Sequence, residues 1–213
     1  MHNSKDFILN KIRKAKQSGA HQGLAFQLLS SEKEAEIFVQ PTGDLSLNFA
    51  KELENINGTC YLVKNNSEML ETLRLIVSEQ KISNILCLEE TIISTLTGFE
   101  NMIHDSMEQV NTSTASITNC EFLISRTGSV MVSNMNESGR KPHVYPDNHI
   151  VLAKSNQVVP DINQAIDALC NKYKENFPSW VSLITGPSRT ADIEKTLILG
   201  AHGPKKLFVI IVK

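Results

Sequence analysis

The stretches TGPSRTADIE (residues 185–194) and GAHGP (residues 200–204) stand between two apolar segments near the end of the chain. The first apolar segment is Trp180 to Ile184, and the second is Leu207 to Val212. This order predicts a strand, a tight Gly-Pro turn, a short helix, a second Gly-Pro turn and a final strand. Loops at strand ends gather backbone donors and polar side chains over a rigid sheet. We therefore expect a binding site in the first turn and at the start of the helix.

Helices and strands alternate along the chain from residue 44 onwards. Apolar periodicity predicts helices over residues 45–56, 67–80, 90–97 and 160–176. Runs of β-branched and apolar residues predict strands over residues 59–63, 85–88, 121–125, 129–133 and 150–153. Residues 108–118, rich in Ser, Thr and Asn, are interpreted as a loop or short helix. The alternation predicts right-handed βαβ units and a largely parallel sheet.

The first 43 residues are interpreted as a helical extension that precedes an α/β domain over residues 44–213. Residues 3–18 have helical periodicity, with Ile8, Ile12 and Ala15 on one face and lysines on the other. Such a helix covers the domain, meets a partner, or is a solvated cap. The sequence leaves these alternatives open.

Composition excludes several classes of protein. The formal net charge is −2 and no basic stripe is present, so nucleic acid is not an expected partner. The four cysteines are far apart in sequence, so we expect no metal site or iron–sulfur cluster bound by this chain alone, and interpret them as buried reduced thiols. The N-terminus lacks the pattern of a secretory signal, and no apolar run is long enough to span a bilayer. A cytoplasmic protein is therefore expected.

Arg126-Thr127-Gly128-Ser129 interrupts the predicted strands 121–125 and 129–133. A glycine at such a break allows a positive φ or a close approach to a ligand. A β-bulge or a hairpin turn without any ligand explains the same pattern.

The segment 139–149, GRKPHVYPDNH, concentrates chemically active side chains. Arg140 is suited to a bidentate contact with a carboxylate or phosphate. Asp147 and His149 are two residues apart and share a face in an extended segment, which suits an acid–base pair. An exposed loop followed by a histidine at a strand start explains the segment equally well.

The turn at residues 186–194 is the third candidate. Free backbone N–H groups at a helix start, with the hydroxyls of Ser188 and Thr190 and the charge of Arg189, would bind an anion. Asp192 and Glu194 would instead cap the helix themselves and repel an anion. His202, between two glycines, is either a site residue or a hydrogen-bonded turn residue.

Five motifs, taken in order, resemble the LUD (lactate-utilisation) domain family. They are Thr127-Gly128-Ser129, Pro146 to Val151, Val159-Pro160, Gly186 to Glu194 and Gly200 to Pro204. The resemblance covers roughly residues 45–213 and is strongest over residues 121–213. One departure is Arg126, which stands where the family often has an acidic residue, so the local charge is reversed.

The resemblance implies a fold and a role. The fold is that of ribose-phosphate isomerase, glucosamine-phosphate deaminase and CoA transferases, a layered α/β/α domain with a mixed, mostly parallel sheet. The role is that of a component of a bacterial cytoplasmic system that oxidises L-lactate, in which partner proteins carry the iron–sulfur clusters. This chain would then be a non-redox subunit without a cofactor of its own.

Three hypotheses of function follow. In the first, the non-redox subunit binds a small anionic molecule or docks onto the iron–sulfur proteins. Its ligand-binding candidates are Thr127, Gly128, Ser129, Arg140, Gly186, Ser188, Arg189 and Thr190, and its best proton carriers are His149 and His202. In the second, the chain is a self-sufficient sugar-phosphate isomerase or a CoA-transferase-like enzyme, whose carboxylate is Glu121, Asp147, Asp192 or Glu194. In the third, the chain is an interaction scaffold that uses the N-terminal helix and loop 134–142.

Overall fold

A computed structural model describes residues 4–17, 41, 43–190, 198–200 and 202–213. The chain divides into two compact units, Met1–Val39 and Gln40–Lys213. The first unit contains helix α1, Ser4–Gln17, so the helix predicted over residues 3–18 is confirmed. All the following elements belong to the second unit.

The second unit contains four further α-helices, twelve strands and four short 3-10 segments among its described residues. The helices are α2 (Leu45–Asn55), α3 (Asn66–Glu79), α4 (Glu90–Ile93) and α5 (Ile162–Tyr173). The strands are β1 (Thr59–Val63), β2 (Ile85–Leu86), β3 (Ile103–His104), β4 (Ala115–Thr118), β5 (Phe122–Ile124), β6 (Ser129–Ser133), β7 (Asn148–Lys154), β8 (Val158–Val159), β9 (Val181–Ile184), β10 (Arg189–Thr190), β11 (Ile198–Leu199) and β12 (Lys206–Val212). The 3-10 segments are Met107–Gln109, Lys141–His143, Ser155–Gln157 and Lys174–Asn176.

The larger sheet has six strands in the order β1-β12-β7-β4-β2-β3, and every pairing in it is parallel. The interior strand β12, between β1 and β7, is buried from Leu207 to Ile211, which explains why this segment is continuously apolar. The expected largely parallel sheet is confirmed.

A second, four-stranded sheet has the order β8-β5-β6-β9. Strands β5 and β6 are antiparallel, so the break at Thr127-Gly128 is a hairpin turn. Every residue of β6 is buried, because Val130 and Val132 face one apolar cluster while Met131 faces another. The sequence therefore shows no alternation that would identify a two-sheet arrangement.

The layers are held by three apolar clusters. Helices α3 and α4 cover one face of the large sheet through residues such as Leu73 and Ile92. The other face packs against α2, through Phe49 and Leu53, and against the small sheet. Helix α5 covers the far side of the small sheet through Leu169. The result is a layered α/β domain with an additional β layer.

The last turn of α2 contacts both glycine-containing turns. Gly128 has φ +61°, and a Cβ there would overlap the backbone nitrogen of Leu53. Gly186 has φ +81°, and a Cβ there would lie 2.7 Å from the carbonyl oxygen of Ile56. Only glycine combines a positive φ with so close an approach of two backbones.

Two expectations for local structure are wrong: the helix start at residues 188–190, and the assignment of all of residues 108–118 to a loop or short helix. Arg189 and Thr190 form a short strand that pairs with Leu199 and Ile198, so no helix begins at these residues. Ser188 is correspondingly not a free helix-start donor, because its N–H donates to the carbonyl of Pro204 at 2.8 Å. The predicted continuation over residues 191–197, with Asp192 and Glu194, lies outside the described residues.

The Ser- and Thr-rich stretch 108–118 contains a buried strand, β4, at its end. Ser116 and Thr118 are fully buried, yet each hydroxyl has a hydrogen-bond partner in the interior. Polar composition suggested a loop, whereas internal hydrogen bonding makes these hydroxyls compatible with a central strand.

Replacing Gly128 with alanine tests the contact between α2 and the hairpin. We expect Gly128→Ala to lower the free energy of unfolding by about 3 kcal/mol or more, from left-handed strain plus overpacking. Gly43 is a matched control, because it has φ +89° and a Cβ added there would meet nothing within 4 Å. Gly43→Ala should cost only about 1 kcal/mol. Equal losses in urea denaturation of the two variants would contradict the proposed contact.

Candidate functional site

Arg189 lines a groove of about 560 Å³ at the amino ends of β1 and β12. Two more cations, Lys205 and Lys206, line the same groove. We call this the cationic groove. The remaining lining residues are Asn57, Thr59, Tyr61, Glu79, Gln80, Pro187, Leu207 and Phe208.

Each cation of the cationic groove already has one partner. The Arg189 guanidinium donates to the carbonyl of Ile56 at 3.3 Å, just beyond the end of α2, where the helix dipole favours a positive charge. Lys205 forms an ion pair with Asp147 at 2.8 Å, and Lys206 donates to the side chain of Gln80. Arg189 is exposed, and the one hydrogen bond that its guanidinium makes with the described residues occupies only one of its five donors.

The turns at Thr127–Ser129 and Thr185–Arg189 meet. The Ser129 hydroxyl lies 2.7 Å from that of Thr127 and 2.9 Å from that of Thr185, which makes a continuous chain of three hydroxyls. The last turn of α2, however, stands against both glycines. Thr127, Gly128 and Ser129 are not among the residues that line the cationic groove, whereas Arg189 is.

Arg140, His149 and Asp147 lie in three different environments. Arg140 is exposed, and its guanidinium carbon lies 5.3 Å from the centre of the Trp180 ring. His149 is fully buried within β7. Asp147 precedes that strand and is exposed, paired with Lys205. The predicted acid–base pair of Asp147 and His149 is therefore not formed.

The remaining predicted residues have different surroundings. Gly186 packs against α2, and Ser188 is half-buried next to Gly203. His202 is exposed in the turn before β12. The backbone of Thr190 belongs to β10, and Glu194 lies outside the described residues.

A buried pair of imidazoles lies between the sheets. His143 Nδ1 is 3.4 Å from His149 Nε2, which is also 2.8 Å from the Thr118 hydroxyl. Trp180 stacks against His143 on the outer side, with 6.2 Å between ring centres. Burial lowers the pKa of His143 to about 4, and burial together with His143 holds the pKa of His149 well below its usual range. Both imidazoles are therefore neutral near pH 7.

Three of the described carboxylates are buried: Asp161, which pairs with Arg126 at 2.8 Å, and Glu121 and Glu89. Glu121 accepts hydrogen bonds from Ser133, Lys172 and Tyr173 at 2.6, 2.8 and 2.9 Å. Glu89 accepts from the backbone N–H of Asn119 at 2.8 Å and from the Ser138 hydroxyl.

Glu89 was not among the candidates from sequence. It is 4% exposed, and none of its hydrogen bonds given by the described residues comes from a cation. The signal that identifies it is an acidic residue directly after the apolar segment 85–88, where parallel strands place functional groups.

The described cysteines are not arranged as metal ligands. Among the residues that the structure describes, no group of three or more His, Cys, Asp or Glu could hold a metal ion. Burial raises the pKa of Cys60 and of Cys87 to about 12, so both thiols stay protonated at neutral pH. None of the described helices combines the length and the apolar character needed to cross a bilayer.

The buried imidazoles predict acid sensitivity. Their folded pKa values lie below the ordinary value of about 6.5, so the unfolded chain binds more protons as the pH falls below 6.5. We expect the stability that His143 contributes to be present above pH 6.5 and to be lost towards pH 4, by about 2–3 kcal/mol. Urea denaturation at several pH values measures this loss.

The variant His143→Gln should flatten the fall in stability between pH 6.5 and 4. His202→Gln is the control for the loss of a histidine side chain, because His202 is exposed in the turn before β12. An unaltered pH profile in His143→Gln would contradict the lowered pKa of His143, because its imidazole would then bind protons equally in the folded and the unfolded chain.

Comparison with known proteins adds the family. A family model described as the LUD domain matches residues 47–212. Lactate utilization protein C of Geobacillus thermodenitrificans is 36% identical over 110 residues, which are 51% of this chain and 45% of that protein. Lactate utilization protein C of Anoxybacillus flavithermus is 25% identical over 166 residues, which are 72% of this chain and 74% of that protein.

The matched region spans about half the length of several of these curated relatives. A solved structure, a DUF162 family protein from Deinococcus radiodurans, matches with a TM-score of 0.62 and 18% identity. This match covers 81% of the present chain and 100% of the solved chain, and at this identity it shows the fold. Since the family model covers well over half of the sequence, the chain belongs to the LUD domain family.

Proposed function

We propose that this protein acts in bacterial lactate utilization as a non-redox subunit that works beside iron–sulfur proteins in the cytoplasm. The observation that carries the proposal is membership of the LUD domain family together with relatives named lactate utilization protein C. A shared fold alone would not carry it, because one fold supports many activities.

The cationic groove is the part of the structure that suits a small organic acid. Arg189 presents a planar guanidinium to it, and a carboxylate binds such a group through two parallel hydrogen bonds. Lys205 and Lys206 line the same groove, where Lys205 is paired with Asp147 and Glu79 is also part of the lining. A carboxylate of lactate or pyruvate would therefore bind against Arg189, with the lysines as a second anchor.

Redox chemistry is assigned to partner proteins. Cys60 lies in β1 and Cys170 in α5, while Cys87 follows β2 and Cys120 follows β4, and none of the four is in a disulfide. Cluster ligation requires several thiolates around one centre, so cysteines placed in separate parts of the chain support this assignment. The non-redox subunit would bind or position the acid while its partners accept the electrons.

A second candidate function is a self-sufficient enzyme of the sugar-phosphate isomerase or CoA-transferase type. The observation that favours it is Glu89, a buried carboxylate at the carboxyl end of the β2 segment. Glu121 is less suited, because Lys172, Tyr173 and Ser133 already occupy its oxygens. Turnover of a sugar phosphate or a CoA ester by the purified chain, abolished in Glu89→Gln, would favour this candidate.

The proposed function is tested by co-expressing the chain with its genomic neighbours and assaying lactate-dependent electron transfer by the purified complex. We expect Arg189→Gln to raise the KM for L-lactate about tenfold, the effect of one charged hydrogen bond. Arg74→Gln is the matched control, since Arg74 is exposed on α3 and does not line the groove.

Three outcomes separate the possibilities. A complex with lactate-dependent activity and a selective effect of Arg189→Gln supports the proposal as a whole. Equal KM values for L-lactate in the two variants would show that the acid binds at another site. Full activity of the partners without this chain would contradict the proposed role.

A further inference from the structure

A second groove, of about 550 Å³, lies at the opposite edge of the large sheet, and nothing in the family comparison assigns it a role. We call it the carboxyl-edge groove, because it collects the ends of parallel strands. Leu152, Ala153 and Lys154 are the last residues of β7, Val212 is the last of β12, and Asn119 directly follows β4. Open parallel sheets bind their ligands at this edge.

The floor of the groove is aliphatic. Met69, Ile92, Leu152 and Ala153 are largely buried, and Val212 is half-buried beside them. The described lining contains no aromatic ring on which a planar base could stack. A flexible hydrocarbon chain therefore matches this floor better than a nucleobase does.

The rim of the groove is polar and carries positive charge. Lys154 and Lys213 are exposed at the rim, and the other polar lining residues provide amides and hydroxyls. None of the described lining residues is Asp or Glu, so the groove favours anions over cations. The polar residues of the rim other than the two lysines are Asn66, Thr91, Thr95, Asn119, Ser155, Asn156 and Gln157.

The backbone that carries Lys154 is held in place by Gln157. The Gln157 side-chain oxygen accepts from the N–H of Lys154 at 2.7 Å, while its nitrogen donates to the carbonyl of Cys120 at 2.7 Å. Asn119 is fixed in turn by Glu89 beneath it, at 2.8 Å. A rim ordered before binding loses less entropy when a ligand arrives.

The volume determines the size of the ligand. Sites for small organic molecules span roughly 300–1,000 Å³, and the carboxyl-edge groove falls within this range. A three-carbon acid would leave most of the floor exposed to water. We propose that the carboxyl-edge groove binds an organic anion with an aliphatic chain, with its charged group at Lys154 and its chain on the Met69–Leu152 floor.

The proposal is tested with the full chain and three probes in isothermal titration calorimetry. Octanoate carries both a charge and a chain, propionate carries the charge with almost no chain, and 1-octanol carries the chain without the charge. Each methylene buried on the floor raises the affinity about fourfold, so burial of three methylenes of octanoate raises its affinity roughly sixtyfold. We expect octanoate to bind at one site, roughly sixtyfold more tightly than propionate, and more tightly than 1-octanol.

Variants assign the binding to this groove. Thr91→Trp should block the mouth and abolish octanoate binding, while Thr97→Trp, an exposed position outside the lining, should leave it intact. Lys154→Gln should weaken octanoate about tenfold through loss of a charged hydrogen bond and leave 1-octanol unchanged. Amide chemical shifts of Asn119 and Asn156 locate the probe even if one variant fails to fold.

Equal affinities for octanoate and propionate, or octanoate binding that survives Thr91→Trp, would overturn the proposal. So would chemical-shift changes confined to residues outside the groove. Arg189→Gln should not alter octanoate binding, so the result is independent of the proposed function in lactate utilization.

Discussion

The packing of the last turn of α2 against two glycine turns is the constraint on which the rest of the domain depends. Gly128 meets the helix backbone at Leu53, and Gly186 meets it at Ile56. These contacts fix the hairpin of the small sheet and the turn that leads to Arg189 on one helix. The Ile56 carbonyl also accepts the Arg189 hydrogen bond, so the fold and the cationic groove share the same contact.

The polar interior follows from the two-sheet arrangement. Strand β4 places Ser116 and Thr118 between the sheets, where the carbonyl of Pro142 and the imidazole of His149 satisfy them. The carboxylates of Glu89 and Glu121 serve the same purpose near Ser138 and Ser133. Buried polar groups without partners destabilise a fold, so this network ties the segment after β6 to the sheets beneath it.

Sequence reasoning predicted the parallel sheet well, because fully buried strands such as β12 are continuous apolar runs. It did not predict the second sheet, since β6 is buried on both faces and has no alternation. It also missed β4, whose hydroxyls are satisfied only by residues distant in sequence. Local sequence patterns show the periodicity of a helix or strand, whereas contacts with residues distant in sequence determine where that element packs.

The candidate site was predictable to a similar degree. The motifs placed Thr127–Ser129 and Gly186–Thr190 among the candidates for one ligand site, and the structure brings the two turns together. The motifs did not reveal the intervening helix turn, because glycine in a motif does not show whether its neighbour is a ligand or a backbone. Spacing likewise paired Asp147 with His149, but the strand begins between them and leaves one exposed and the other buried.

Amide hydrogen exchange in Gly128→Ala tests the central claim most directly. The amides of Asn57 and Gly58 are bonded to carbonyls of α2, and the amide of Ser188 to Pro204. If α2 organises both turns, protection should fall together at the end of α2, at Ser188 and in the hairpin. Loss of protection confined to the hairpin strands β5 and β6 would contradict the account.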